Sequence, residues 1–195
     1  MVQLASRRPA KLRRGRAADR GAALVEAAMV TPLLVLLVFG IIEFGLLFKD
    51  TSSVAAAAAS GARTAATQAR TNGYQDNVAA AVTGALSSVG ATPQELVVYR
   101  VEKNGLNQPV NWSSAQITGC STCYKFTWSG GQWVPSGGSG WAAAAQQACG
   151  PVATTDYVGV WIKARHDMLT GMFGSARTIT EKTVMRLEPV PGDCR

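Results

Sequence analysis

Residues 21–48, GAALVEAAMVTPLLVLLVFGIIEFGLLF, decide the architecture of this chain. From Ala27 to Phe48 the only charge is Glu43. As an α-helix rising about 1.5 Å per residue, that run extends roughly 33 Å, enough to cross a hydrocarbon core of about 30 Å. A helix is the form this composition requires in lipid, where backbone amides find partners only within their own segment. A plain membrane anchor accounts for the apolar length. It does not account for Glu26, a carboxylate five residues after Gly21 at the start of the apolar run.

Before this stretch lies a basic leader. Arg7, Arg8, Lys11, Arg13, Arg14, Arg16 and Arg20 stand against Asp19, so residues 1–20 hold +6 of the chain's net +7. The remaining body, at +1, has no electrostatic footprint for DNA or RNA, and no nucleic-acid partner is expected. Positive charge on one flank of a span sets its orientation. The expected topology is single-pass in the cytoplasmic membrane, with the N-terminus inside and the C-terminal domain outside. The apolar run is longer than the roughly 7–15 residues of a secretory signal core. Ala55 to Ala59 offers only a weak site for signal cleavage.

A basic leader ending in Gly21, followed by Ala22, Ala23, Leu24, Val25 and Glu26, resembles the type IV prepilin processing site. In that class a membrane peptidase cuts after the glycine, and glutamate occupies the fifth mature position. The longer pattern of Val25-Glu26, Thr31-Pro32 and Ile41-Ile42-Glu43-Phe44-Gly45 is similar to the TadE-like pseudopilins of tight-adherence pilus systems. The similarity runs from about Gly21 to Arg70, with a weaker echo in Val184 to Pro189. Two positions differ from common patterns. Ala22 stands where type IV pilins often begin with an aromatic residue, and Ala27 stands where many relatives have an aromatic after the glutamate.

The resemblance implies a processing site at Gly21, Ala22 and Glu26, and a prepilin peptidase and other pilin or pseudopilin subunits as partners. It implies a minor pseudopilin that assists pilus assembly, either within a surface pilus or at its base, and not an enzyme. In pilin families the glutamate pairs with a mature N-terminal ammonium and helps to set subunit register, so the same role is implied for Glu26. Physical chemistry supports a partner, since a carboxylate in or near lipid is costly alone. Negative charge in the first turn of the mature helix also complements the helix dipole.

Further assembly candidates follow along the helix. Glu43, seventeen residues after Glu26 and roughly 25 Å along the axis, would lie near the outer interface, either reaching water or meeting a partner helix. Pro32 removes one intrahelical hydrogen bond and is expected to kink the span. Gly40 and Gly45 permit close helix approach without forming a GxxxG pair. Ser53, Ala57, Gly61, Ala65 and Ala69 recur every fourth residue and form a narrow stripe of small side chains. That stripe suits either a stalk packed in a filament or a spacer packed on the chain's own domain. Arg63 and Arg70 are expected on a solvated or interface face.

The chain divides into a basic cytoplasmic leader (1–21), a transmembrane and stalk helix (22–70) and an extracytoplasmic domain (71–195). After the break at Asn72-Gly73, Tyr74, Val78, Val82, Leu86 and Val89 mark an amphipathic helix. Leu96 to Lys103, Tyr157 to Arg165 and Ala176 to Leu187 are expected as strands of a small antiparallel sheet. Trp141 to Cys149, WAAAAQQAC, is expected as a short helix ending at Gly150-Pro151. The expected fold class is therefore α+β: a long pilin-like helix followed by a small antiparallel sheet domain with disulfides.

Cys120, Cys123, Cys149 and Cys194 all lie on the side expected to be exported, where disulfides persist and a small core benefits from them. A single CxxC with two distant thiols is a poor zinc set, so no metal is expected. The preferred pairing joins Cys120 or Cys123 to Cys149 and leaves Cys194 to the other. Trp112, Trp128, Trp133 and Trp141 crowd one irregular region and are expected to anchor it by burial. Exposed, they would form a ligand-binding patch. The alternative function rests on that patch: an unprocessed single-pass protein whose outer domain binds a ligand or a cell-wall component. His166, the only histidine, is expected at the surface, and no catalytic group, cofactor or small-molecule substrate is expected.

Overall fold

A computed structural model of the chain describes residues 15–87, 90–138, 140–151 and 154–189, with side chains from residue 21 onward. The basic residues Arg7, Arg8, Lys11, Arg13 and Arg14 and Cys194 lie outside the described residues. The chain forms two units, Met1–Ile42 and Glu43–Arg195. Helix α1 (Gly15–Thr67) continues through Pro32. It ends where Arg70 adopts a left-handed conformation at φ 63°. There the Arg70 amide donates to Gln146 Oε1 at 2.6 Å, and its guanidinium donates to the Gln146 carbonyl at 3.2 Å.

The second unit is α+β. Helix α2 (Tyr74–Leu86) follows a left-handed Gly73, and five strands then form one sheet: β1 (Thr92–Val101), β2 (Cys123–Ser129), β3 (Gln132–Gly137), β4 (Tyr157–Asp167) and β5 (Ala176–Arg186). Every neighbouring pair is antiparallel, in the order β3-β2-β1-β4-β5. The longest strands, β4 and β5, pair from Tyr157↔Arg186 to Asp167↔Ala176. The alternation of Val158, Val160, Ile162 and Ala164 that marks β4 in the sequence faces all four into one core.

That core lies between the sheet and the helices. The α1 side is almost all alanine: Ala57, Ala58, Ala62, Ala65 and Ala66 are buried against Val78 and Val82 of α2 and Val98, Val160 and Ile162 of the sheet. Small side chains let the helix axis come close. The tightest point is Gly61, where a Cβ would sit 2.7 Å from Val82 Cγ2 and 3.2 Å from Val160 Cγ1. Tyr74 closes one end with its ring edge-on to Tyr124. Burial disfavours its phenolate and raises its pKa well above the ordinary tyrosine value, helped by Tyr124 and opposed by a hydrogen bond with Gln146.

The opposite sheet face carries a smaller cluster of Val97, Tyr99, Val101 and Trp161. It is covered by Ile117 of the short helix α3 (Ser114–Thr118), which has a capping box between Ser113 and Gln116. Tyr99 stacks on Trp112 with ring centroids 5.6 Å apart. Gly159, directly across the ladder, leaves room for that ring; a Cβ there would lie 2.3 Å from Tyr99 Cζ. Burial raises the Tyr99 pKa to about 12.

Two sequence expectations are corrected here, and the expected burial of the tryptophans is met in full only at Trp141, with Trp112, Trp128 and Trp133 half-buried. Trp141–Cys149 is not a helix but an irregular segment with one 3-10 turn at Ala143–Ala145. Its backbone is committed elsewhere: the Trp141 carbonyl accepts from Tyr74, and the Gln147 amide donates to Asp156 Oδ2 at 3.0 Å. Tertiary partners override the helix preference of its alanines. The β2–β3 hairpin was absent from the expected sheet, although Gly130 and Gly131, at φ 59° and 82°, form the two-residue turn that such hairpins favour. The tryptophans do not share one patch. Trp112 packs on one sheet face, Trp141 is buried on the other, and Trp128 meets Trp133 edge-on within the hairpin.

Candidate functional site: the apolar helix and the base of the sheet domain

In the first unit, the apolar side chains of α1 have no cover. Leu24 is 71% exposed, Met29 76% and Leu33 68%, and the large apolar residues between Leu33 and Phe39 are exposed as well. Apolar residues on every side of a helix require a medium other than water. Glu26 is exposed on this stretch, and no described atom lies within 4 Å of the Cβ position of Gly21. Ala22 is exposed beside it, so the three residues of the expected processing site share an open segment of helix. This is the one described helix long and apolar enough to cross a membrane.

The second unit begins at Glu43, whose position differs from both alternatives given by the sequence. Its side chain is 1% exposed, covered neither by water nor by a separate helix. The loop between β4 and β5 reaches it, and the Thr170 amide donates to Oε1 and Oε2 at 3.4 and 3.3 Å. The small-residue stripe is also internal. Ala57, Gly61 and Ala65, expected as assembly candidates, are buried in the chain's own core, which leaves them no surface for a neighbouring subunit. The periodicity identified a close-packing face, and the partner is the chain's own sheet and α2.

His166 is corrected in the same way. It is buried, with Nδ1 2.7 Å from Oδ2 of Asp50. Asp50 Oδ1 accepts from the Gly90 amide at 3.1 Å. This contact joins α1, the end of β4 and the turn before β1. Neither Asp50 nor its pairing was legible in the sequence, because the partners are 116 residues apart and a lone Asp in a helix carries no signal. A second buried carboxylate, Asp156, accepts from Arg100 at 2.9 Å and from the Gln147 amide.

The cysteines pair differently from the expectation. Cys120 and Cys123 form a disulfide with each other, and Cys149 is disulfide-bonded as well. Strand β2 starts at Cys123 directly after the turn that ends α3, which brings the two sulfurs together. Among the described residues, no three His, Cys, Asp or Glu side chains gather where they could hold a metal ion.

The order of features along α1 is now defined: open glycine, exposed glutamate, exposed apolar run, then a buried small-residue face. Residues 21–63 match the family model for TadE-like protein. The TadE-like segment thus covers the exposed apolar stretch together with most of the buried alanine face, and ends within α1. The sheet domain lies beyond it. No curated protein and no solved structure matches the chain. The match supports association with a tight-adherence pilus system.

Proposed function

We propose that this chain is a minor pseudopilin, a structural assembly factor of a tight-adherence type IV pilus. It is made as a precursor that a prepilin peptidase cuts between Gly21 and Ala22. The observation that carries this is the TadE-like match over residues 21–63, on a helix whose apolar residues from Leu24 to Phe39 are left without cover. Residues 27–48 lie in the cytoplasmic membrane, the basic leader stays in the cytoplasm, and the sheet domain faces outward.

Processing removes the net +6 of residues 1–20 and creates an ammonium on Ala22. Glu26 of a neighbouring subunit gains that ammonium as a partner where low dielectric makes a lone carboxylate unfavourable. Since Ala57, Gly61 and Ala65 are spent on the chain's own core, contacts with other pilin or pseudopilin subunits fall to the exposed residues between Leu24 and Phe39. Pro32 lies within that stretch.

N-terminal sequencing of the protein recovered from membranes tests the first step. A start at Ala22 is expected, and Gly21 replaced by Leu should leave the full-length chain. Glu26→Ala should be processed normally yet reduce surface pili. A mature start at Met1 or near Ala59 overturns the proposal, and normal pili in a deletion strain remove the assembly role.

A further inference from the structure

We infer that the loop between β4 and β5 is a foot that rests in the outer membrane–water interface, with anionic lipid headgroups as its partner. The inference rests on the reading that residues 27–48 span a membrane. The loop reads Met168-Leu169-Thr170-Gly171-Met172-Phe173-Gly174-Ser175, an unusual composition for a hairpin tip, where small polar residues normally meet water. Leu169 is 69% exposed and Met172 50% exposed. The tip does not hang free: Phe173 packs on Phe44 of α1, with ring centroids 5.3 Å apart. At this level α1 itself still exposes Phe44 and Phe48, four residues apart on one helix face. Loop and helix therefore present one continuous apolar patch at the end of the apolar run.

Half of the loop's eight backbone amides are paired within the chain, which suits the membrane–water interface and not the hydrocarbon core. Met168 donates to the Ser175 carbonyl at 3.0 Å, Thr170 to Glu43, Met172 to Thr170 Oγ1 at 3.3 Å and Gly174 to the Gly171 carbonyl at 3.3 Å. Unsatisfied amides are what normally exclude loops from lipid. The same contact covers the Glu43 carboxylate, the one charge in the apolar run from Ala27 to Phe48. Cations border the patch. Lys49 follows Phe48 in an exposed position, and Arg177 is exposed while donating to the Phe173 carbonyl at 3.3 Å. The nearby acid, Asp167, is paired with Arg165 at 2.7 Å. Apolar side chains rimmed by lysine and arginine match the acyl boundary and the phosphates of an anionic bilayer.

The test uses the full-length chain in vesicles of phosphatidylethanolamine and phosphatidylglycerol. Single spin labels are placed at Leu169→Cys, Leu34→Cys and Leu106→Cys, and collision with oxygen (lipid-soluble) and a nickel chelate (water-soluble) is measured. Leu106 is an exposed leucine on the loop after β1 and serves as the water reference. The expected result is an oxygen-to-nickel ratio at position 169 several-fold above that at 106, with position 34 higher still. Nickel access at 169 equal to that at 106, with 34 still in lipid, overturns the foot and leaves the span intact. Shielding of 169 from both reagents means a protein covers the loop, which also overturns it. Nickel access at 34 removes the span and the foot together.

Discussion

The exposed stretch of α1, from Leu24 to Phe39, is mostly Leu, Val, Met and Phe, whereas its buried stretch, from Val54 to Ala66, is mostly Ala. The usual association of large apolar residues with interiors is reversed within one helix. Close approach to α2 and the sheet selects side chains that take little room, so the interior stretch has the smaller residues. The outer stretch has no such limit and carries residues that water would penalise. Side-chain size therefore says more than hydropathy about which stretch meets its own chain and which meets another medium.

A lysine placed in each stretch should separate them most sharply. Ala62→Lys buries an unpaired ammonium in the alanine face and is expected to cost the sheet domain about 4 kcal/mol or more, read as loss of the denaturant transition in detergent micelles. Leu34→Lys should leave that transition unchanged and instead oppose membrane insertion by about 3 kcal/mol, read as protein lost from the membrane fraction. If both lysines unfolded the sheet domain, the two stretches would not differ as described.

Glycine gives a finer comparison. Gly61→Val forces methyl groups against Val82 and Val160, two stiff β-branched neighbours, and should lower stability by about 3 kcal/mol. Gly45→Val, sixteen residues earlier and with nothing within 4 Å of its Cβ position, should change stability by less than about 0.5 kcal/mol. Equal midpoints for the two variants would contradict the packing of the alanine face.

A third comparison uses alkali. Tyr99 titrates at about 12 when folded, above the ordinary tyrosine value of about 10, and Tyr74 is raised further. A raised folded pKa means the contribution of the neutral phenol is complete below pH 10 and lost as pH climbs through 12. Tryptophan fluorescence of the sheet domain should show a stability decline beginning near pH 10, while far-UV signal from the exposed apolar stretch of α1 persists. Replacing both tyrosines with Phe should flatten that decline. An unchanged slope would assign it to other groups.

Local periodicity made much of the fold legible. Tyr74, Val78 and Val82 mark α2, and the alternation through Val158, Val160 and Ile162 marks β4, because one buried face imposes the period of the element. Gly130-Gly131 carried the signal of the missed hairpin in the open. The segment from Trp141 to Cys149 departs from the helix its alanines suggest because its conformation depends on Arg70 and Tyr74, both distant in sequence, and on Asp156, nine residues beyond Gln147. The same distance hid Asp50–His166 and the Thr170 amide on Glu43. Of the candidate site, Gly21 and Glu26 could be singled out from spacing, while the partners of Glu43 and of the small-residue stripe could be known only from the folded chain.

The order β3-β2-β1-β4-β5 leaves β3 and β5 as the two borders of the sheet. An uncapped border is a template for a second chain to zip onto. Each border is blunted by different chemistry. On β3, Pro135 lacks an amide hydrogen and sits beside a register shift opposite Phe126. On β5, Arg177, Lys182 and Arg186 stand exposed along the strand with Glu181 as the one acid among them, so the border carries a net positive charge that a second copy would repel. Both features disfavour edge-to-edge pairing of neighbouring copies into amyloid-like ribbons.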